Sequence, residues 1–70
     1  MLTITAALKI EEPEKLLEEL AEHVRVRNQM GGDLWYNVMH DECCKIADKC
    51  VALGLPSQKV YQTVMNGARY

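Results

Sequence analysis

No stretch of this 70-residue sequence approaches the roughly 20 consecutive apolar residues that a helix needs to cross a bilayer, so no membrane partner is expected. Residues 1 to 10 lack the basic start and long apolar run of a secretory leader. Cysteine is present but not in a form that pairs: Cys43, Cys44 and Cys50 are odd in number and confined to one short segment. That fits reduced thiols and a cytoplasmic setting better than a disulfide framework. Acidic residues are missing after Asp48, whereas residues 1 to 22 hold six glutamates against Lys9 and Lys15. The net charge of -2 argues against a phosphate backbone as partner, because such binding is driven by lysine and arginine displacing counterions.

What is present is helical patterning with one exception. Leu2, Ile4, Ala6, Leu8 and Ile10 alternate with Thr3, Thr5, Ala7 and Lys9, the period of a strand with one buried face; the Ala-Ala-Leu-Lys stretch favours a short helix instead. A lone strand has no partner in the chain, and implies an extended arm or a ladder with a second molecule. Pro13 is tolerated in a first helical turn, and Glu11, Glu12 and Glu14 complement its positive end. Leu16, Leu17, Leu20, Ala21 and Val24 then share one stripe, with Glu18, Glu19, Glu22, Arg25 and Gln29 opposite. Gly31 and Gly32 end this helix in the left-handed conformation that glycine takes without steric cost, and Asp33 caps the next. Gly54 and Pro56 close the second helix and Ser57 caps a third, whose face is Val60, Tyr61, Val64, Met65 and Ala68. The expectation is one small, mostly α domain over residues 1 to 70. It has an arm or strand over 1–12 and helices over 13–30, 33–54 and 57–66, so that a helical hairpin is followed by a short C-terminal helix.

The central helix carries two adjacent apolar seams. Trp35, Met39, Ile46, Cys50 and Leu53 form one; Tyr36, His40, Cys43 with Cys44, Ala47 and Val51 form the other, leaving Asn37, Asp41, Lys45, Asp48 and Lys49 for water. A monomer would pack one seam on each neighbouring helix. The third helix is too short to cover its seam, however, and exposed remainders of this kind mark interfaces. A homodimer that buries the second seam and pairs two N-terminal strands answers both features. The expected function is therefore that of a non-enzymatic protein-binding regulator or inhibitor, with an unidentified protein partner contacted through Trp35, Tyr36, Met39, His40, Cys44, Ala47 and Val51. Trp35 and Tyr36, adjacent aromatics beside a Gly-Gly turn, are the candidate hot spot.

His40, Cys43 and Cys44 have the spacing of two soft ligands on one helical face, but a tetrahedral site needs two more, and no metal or other cofactor is expected. Cys44 with His40 has the residue types of a nucleophile and base, without an oxyanion donor or orienting acid nearby.

Residues 46–66, with Gly54 and Leu55 at the turn, Val60 buried after it and Cys50 at a small-residue position, resemble the helix-turn-helix of small repressors. The resemblance implies DNA reading by Gln58, Lys59, Gln62, Thr63 and Asn66, an acid-free face rich in amides. Lys49 stands where that motif wants an apolar residue. The order strand, helix, glycine turn, helix likewise resembles a ribbon-helix-helix dimer, which implies base reading by Thr3, Thr5, Ala7 and Lys9. DNA binding is the alternative function.

Overall fold

A computed structural model of the protein describes residues 1–69. It contains four helices: α1 (Ile4–Ala7), α2 (Pro13–Asn28), α3 (Asp33–Ala52) and α4 (Ser57–Met65). The long α3 is the spine against which the other three pack. No strand occurs among the described residues, and the expected N-terminal strand is a single helical turn. The Thr3 hydroxyl accepts from the Ala6 amide at 3.2 Å, capping that turn. Backbone bonds from Ala7 to Thr3 and from Leu8 to Ile4 use the groups that a strand would have left for a second molecule. Fully buried Ala7 brings the turn close to α3. The ribbon-helix-helix likeness, which needs a strand there, falls with this result.

The first turn of α2 follows expectation, with Pro13 at its start. Its end does not. The chain leaves α2 through Gln29, still right-handed at φ -89°, and among the described residues only Gly54 and Gly67 have positive φ. Gly32 is the extended residue before α3, and Asp33 is the first residue inside α3, with no side-chain cap bond. Gly54, at φ 106°, closes α3: its N–H donates to the Val51 carbonyl and that of Leu55 to the Cys50 carbonyl, a Schellman pair. Pro56 takes the capping place expected of Ser57.

The two seams of α3 turn out to be one. Tyr36, Met39, Cys43, Ile46, Ala47 and Cys50 all point inward, a stripe of steps of three and four residues. Cys43, Ile46, Ala47 and Cys50 of this stripe share one cluster with Leu16, Leu20 and Val24 of α2 and Val60 and Val64 of α4. The end of α3 that α4 is too short to reach is covered by the segment after it. The Gly67 turn, at φ 75°, brings Arg69 back onto Tyr36: its backbone N–H donates to Tyr36 Oη at 2.9 Å, and its guanidinium lies 4.3 Å from the ring centroid. Neither feature that suggested a homodimer, an unpaired strand or an uncovered second seam, is therefore present.

Gly67 has the left-handed conformation and a close neighbour as well, since a Cβ there would lie 2.5 Å from Asn28 Nδ2. Gly67→Ala is expected to cost about 1–2 kcal/mol, read as a Tm lowered by roughly 5–15 °C. Gly31 has open space around it and an ordinary φ, so Gly31→Ala is expected to be neutral or to raise stability by about 0.4–1 kcal/mol. Thermal melts of the two variants side by side check both.

Candidate functional site

The stripe of α2 runs Leu16, Leu20, His23, Val24 and then Arg27, all buried. An arginine with no exposed surface has to find acceptors inside the protein, and Arg27 finds one for each of its N–H groups. Nη1 donates to the Val64 carbonyl at 2.6 Å and to His40 Nδ1 at 2.9 Å. Nη2 donates to the Asn66 carbonyl at 3.1 Å, and Nε and Nη2 both donate to Asn28 Oδ1, at 3.1 and 2.9 Å. The guanidinium also lies 5.3 Å from the Tyr36 ring centroid. Among the described residues no carboxylate pairs with it. Its compensation comes from carbonyls that a helix leaves unpaired at its C-terminus, here that of α4, where a cation is also favoured by the helix dipole.

This arginine fixes the chemistry of His40 and Cys44. Arginine only donates, so His40 Nδ1 must be an acceptor, and the proton of the neutral ring sits on Nε2. Nε2 faces Cys44 Sγ at 3.6 Å, with the sulfur as acceptor. That is the reverse of a nucleophile pair, in which imidazole takes the thiol proton. Burial, and then repulsion by Arg27, hold His40 below its ordinary pKa. Burial pushes the Cys43 thiol up to about 11, and the Cys50 thiol upward too. Cys44 is raised by burial and by the Asp48 and Asp41 carboxylates. The thiolate that either nucleophilic attack or metal ligation needs is thus disfavoured at each position, and no cluster of three metal-ligating side chains occurs among the described residues.

The residues expected to contact a partner separate into three groups. Tyr36, Met39 and Ala47 are in the interior and hold α3 in place; His40, Cys44 and Val51 are half-buried. Trp35 alone is on the outside, 63% exposed, and it is joined there by Leu34 at 72% and Val38 at 41%. Leu34 and Val38 are one turn apart and Trp35 adjoins them, so the three make a patch on the first turns of α3, facing away from its buried stripe. They were not singled out with Trp35 from sequence, although positions 34 and 38 lie outside the stripe that runs from 36 to 50. Tyr36, next to Trp35 in the chain, is held by Arg69 and Arg27, so the patch sits on a fixed backbone.

On α4, Gln58, Lys59 and Gln62 are exposed, as is Asn66 just past its end. The half-buried Thr63 donates its hydroxyl to the Lys59 carbonyl at 3.1 Å, and the Asn66 carbonyl is taken by Arg27 and Asn28. Compared with known proteins, the chain matches no family model, and no curated protein or solved structure is significantly similar to it.

Replacing Arg27 by Met keeps the length but leaves the Val64 carbonyl without its donor and the Asn66 carbonyl with that of Asn28 alone. A loss of about 2–5 kcal/mol is expected by urea denaturation; a loss under about 1 kcal/mol would show that water or another donor replaces the guanidinium. The pH dependence has a definite sign. The unfolded chain protonates His40 near 6.5, above the folded value, so the stability tied to neutral His40 is complete above that pH. It declines as the pH falls toward the lowered value. His40→Gln should therefore show a smaller drop in Tm than the wild type between pH 7.5 and 5.5, in matched thermal melts.

Proposed function

We propose that this protein is a non-enzymatic binding module that regulates another protein by docking it on the exposed face of α3 made by Leu34, Trp35 and Val38. The observation that carries the proposal is the combination of exposure with rigidity. Three large apolar side chains stay in water on a helix whose opposite face is packed and whose next residue, Tyr36, is held by two arginines. An aromatic anchor on a fixed backbone loses little freedom on binding, which is why such residues dominate interface energies. Three free thiols suit a reducing compartment such as the cytoplasm.

The patch amounts to a few hundred Å², on the order of the largest apolar patch of an ordinary monomer. A stable dimer needs about 800 Å² from each copy, so the homodimer becomes the lesser form of this proposal and a different protein its main occupant.

Helix-turn-helix DNA binding is the second reading. Gly54 is left-handed at the turn, and Cys50 and Val60 are buried on either side of it. Its weakness is charge. On the outward face of α4 Lys59 is the one cation, since Arg27 and Arg69 are occupied by carbonyls and by Tyr36.

The test is photocross-linking from p-benzoylphenylalanine placed at Trp35 or at Gln62. We expect adducts to a discrete protein from position 35, retained at high salt and lost in the Leu34→Ser, Val38→Ser double variant. As surface substitutions, these two should each change stability by no more than about 0.5 kcal/mol. Adducts from position 62 alone, or salt-sensitive retention on a DNA column abolished by Lys59→Ala, would replace this function with the second.

A further inference from the structure

The border of the apolar patch says what kind of surface it fits. Asp41 lies three residues beyond Val38 and Glu42 four, so on a helix both carboxylates stand one turn from the patch on the same side of α3. Asp33, with a fully exposed side chain, stands at the opposite end. Asp41 and Glu42 form no ion pair among the described residues, while Asp33 lies 3.9 Å from Arg69 Nη1. That arginine is itself directed to the Met30 carbonyl and the Tyr36 ring. The next cations along this side of α3 are Lys45, a further turn along, and beyond it Lys49, which is paired with Glu11.

We propose, resting on the binding role assigned to Leu34, Trp35 and Val38, that the partner presents a cationic amphipathic helix. Two or three of its apolar side chains, at steps of three and four residues, cover the patch. A lysine or arginine one turn further on meets Asp41 and Glu42, and a second cation can lie against the exposed face of Trp35, where a ring attracts positive charge. A second copy of this chain fits less well. In a twofold contact centred on Val38, Leu34 of each copy faces the Glu42 region of the other, setting apolar surface against carboxylates. An anionic surface meets like charge.

Trp35 is the single tryptophan of the chain, so its emission reports on the patch directly. The probes are two amphipathic helical peptides of about 15 residues with the same pattern, one of leucine and lysine and one of leucine and glutamate. We expect a saturable blue shift with the leucine-lysine peptide at an affinity at least about tenfold above that of the other, and a reversed preference in the Asp41→Lys, Glu42→Lys variant. The Leu34→Ser, Val38→Ser variant, with helix content checked by circular dichroism, should lose the shift. Equal or tighter binding of the leucine-glutamate peptide, abolished by that same variant, overturns the charge assignment and leaves the binding surface standing. No shift with either peptide removes the surface and the partner class together. A blue shift on concentrating the protein alone makes the second copy the occupant and overturns the cationic helix.

Discussion

A single buried cation sets the geometry of this protein. Moving the Arg27 guanidinium out of water costs several kcal/mol, and a chain of this size has a net stability of only about 5–15 kcal/mol to set against it. The cost is offset only when acceptors from three segments converge on it: Asn28 beside it in sequence, His40 of α3, and the carbonyls of Val64 and Asn66 at the end of α4. Each of these acceptors constrains something else. The Asn66 carbonyl orients the Gly67 turn, the turn delivers Arg69 to Tyr36, and Tyr36 fixes the beginning of α3. The exposed apolar patch is thus placed by a chain of contacts that begins in the interior. The same guanidinium sets the His40 tautomer, and with it places the Nε2 proton beside the Cys44 sulfur.

The protein repeats the device with its other long cations. Lys49 of α3 donates to the Leu8 carbonyl just after α1 and to Glu11 at 3.0 Å; Arg69 donates to the Met30 carbonyl just after α2. Each of these three C-terminal helix ends is closed by a side chain from elsewhere in the sequence, which donates to carbonyls at or just beyond the last turn. The arrangement also withdraws Arg27 fully and Lys49 in large part from the surface, which weakens any electrostatic approach to nucleic acid and leaves the carboxylates beside the patch more influential.

How far the sequence is legible follows from this. The three long helices are readable because their apolar residues recur at steps of three and four and because Pro13, Gly54 and Pro56 punctuate them. The Leu2 to Ile10 alternation misleads because one helical turn is too short to have a period, and the decisive feature, a Thr3 cap on Ala6, is a local hydrogen bond. Gly31 and Gly32 look like a cap but lie three and four residues past Asn28, the end of α2. Arg27 and Lys49 are assigned to water by any scale of polarity; only their spacing, Arg27 in register with Leu16, Leu20 and Val24, hints otherwise. For the candidate site, Trp35 is legible by residue type. Its companions Leu34 and Val38 are not, because two seams read separately conceal that the interior needs only one side of α3.

The acceptors that Arg27 needs on α4 and after it lie 37 and 39 residues further along the chain. The α2–α3 hairpin by itself supplies only Asn28 and His40 to the guanidinium and leaves its remaining N–H groups to water. Docking of α4 then does two things at once, dehydrating a charge and supplying the groups that accept it. A contact of such long sequence separation carries a loop-closure cost that slows folding. The last helix is therefore part of the solvent exchange at the centre of the protein, because its carbonyls take the place of water on the Arg27 charge.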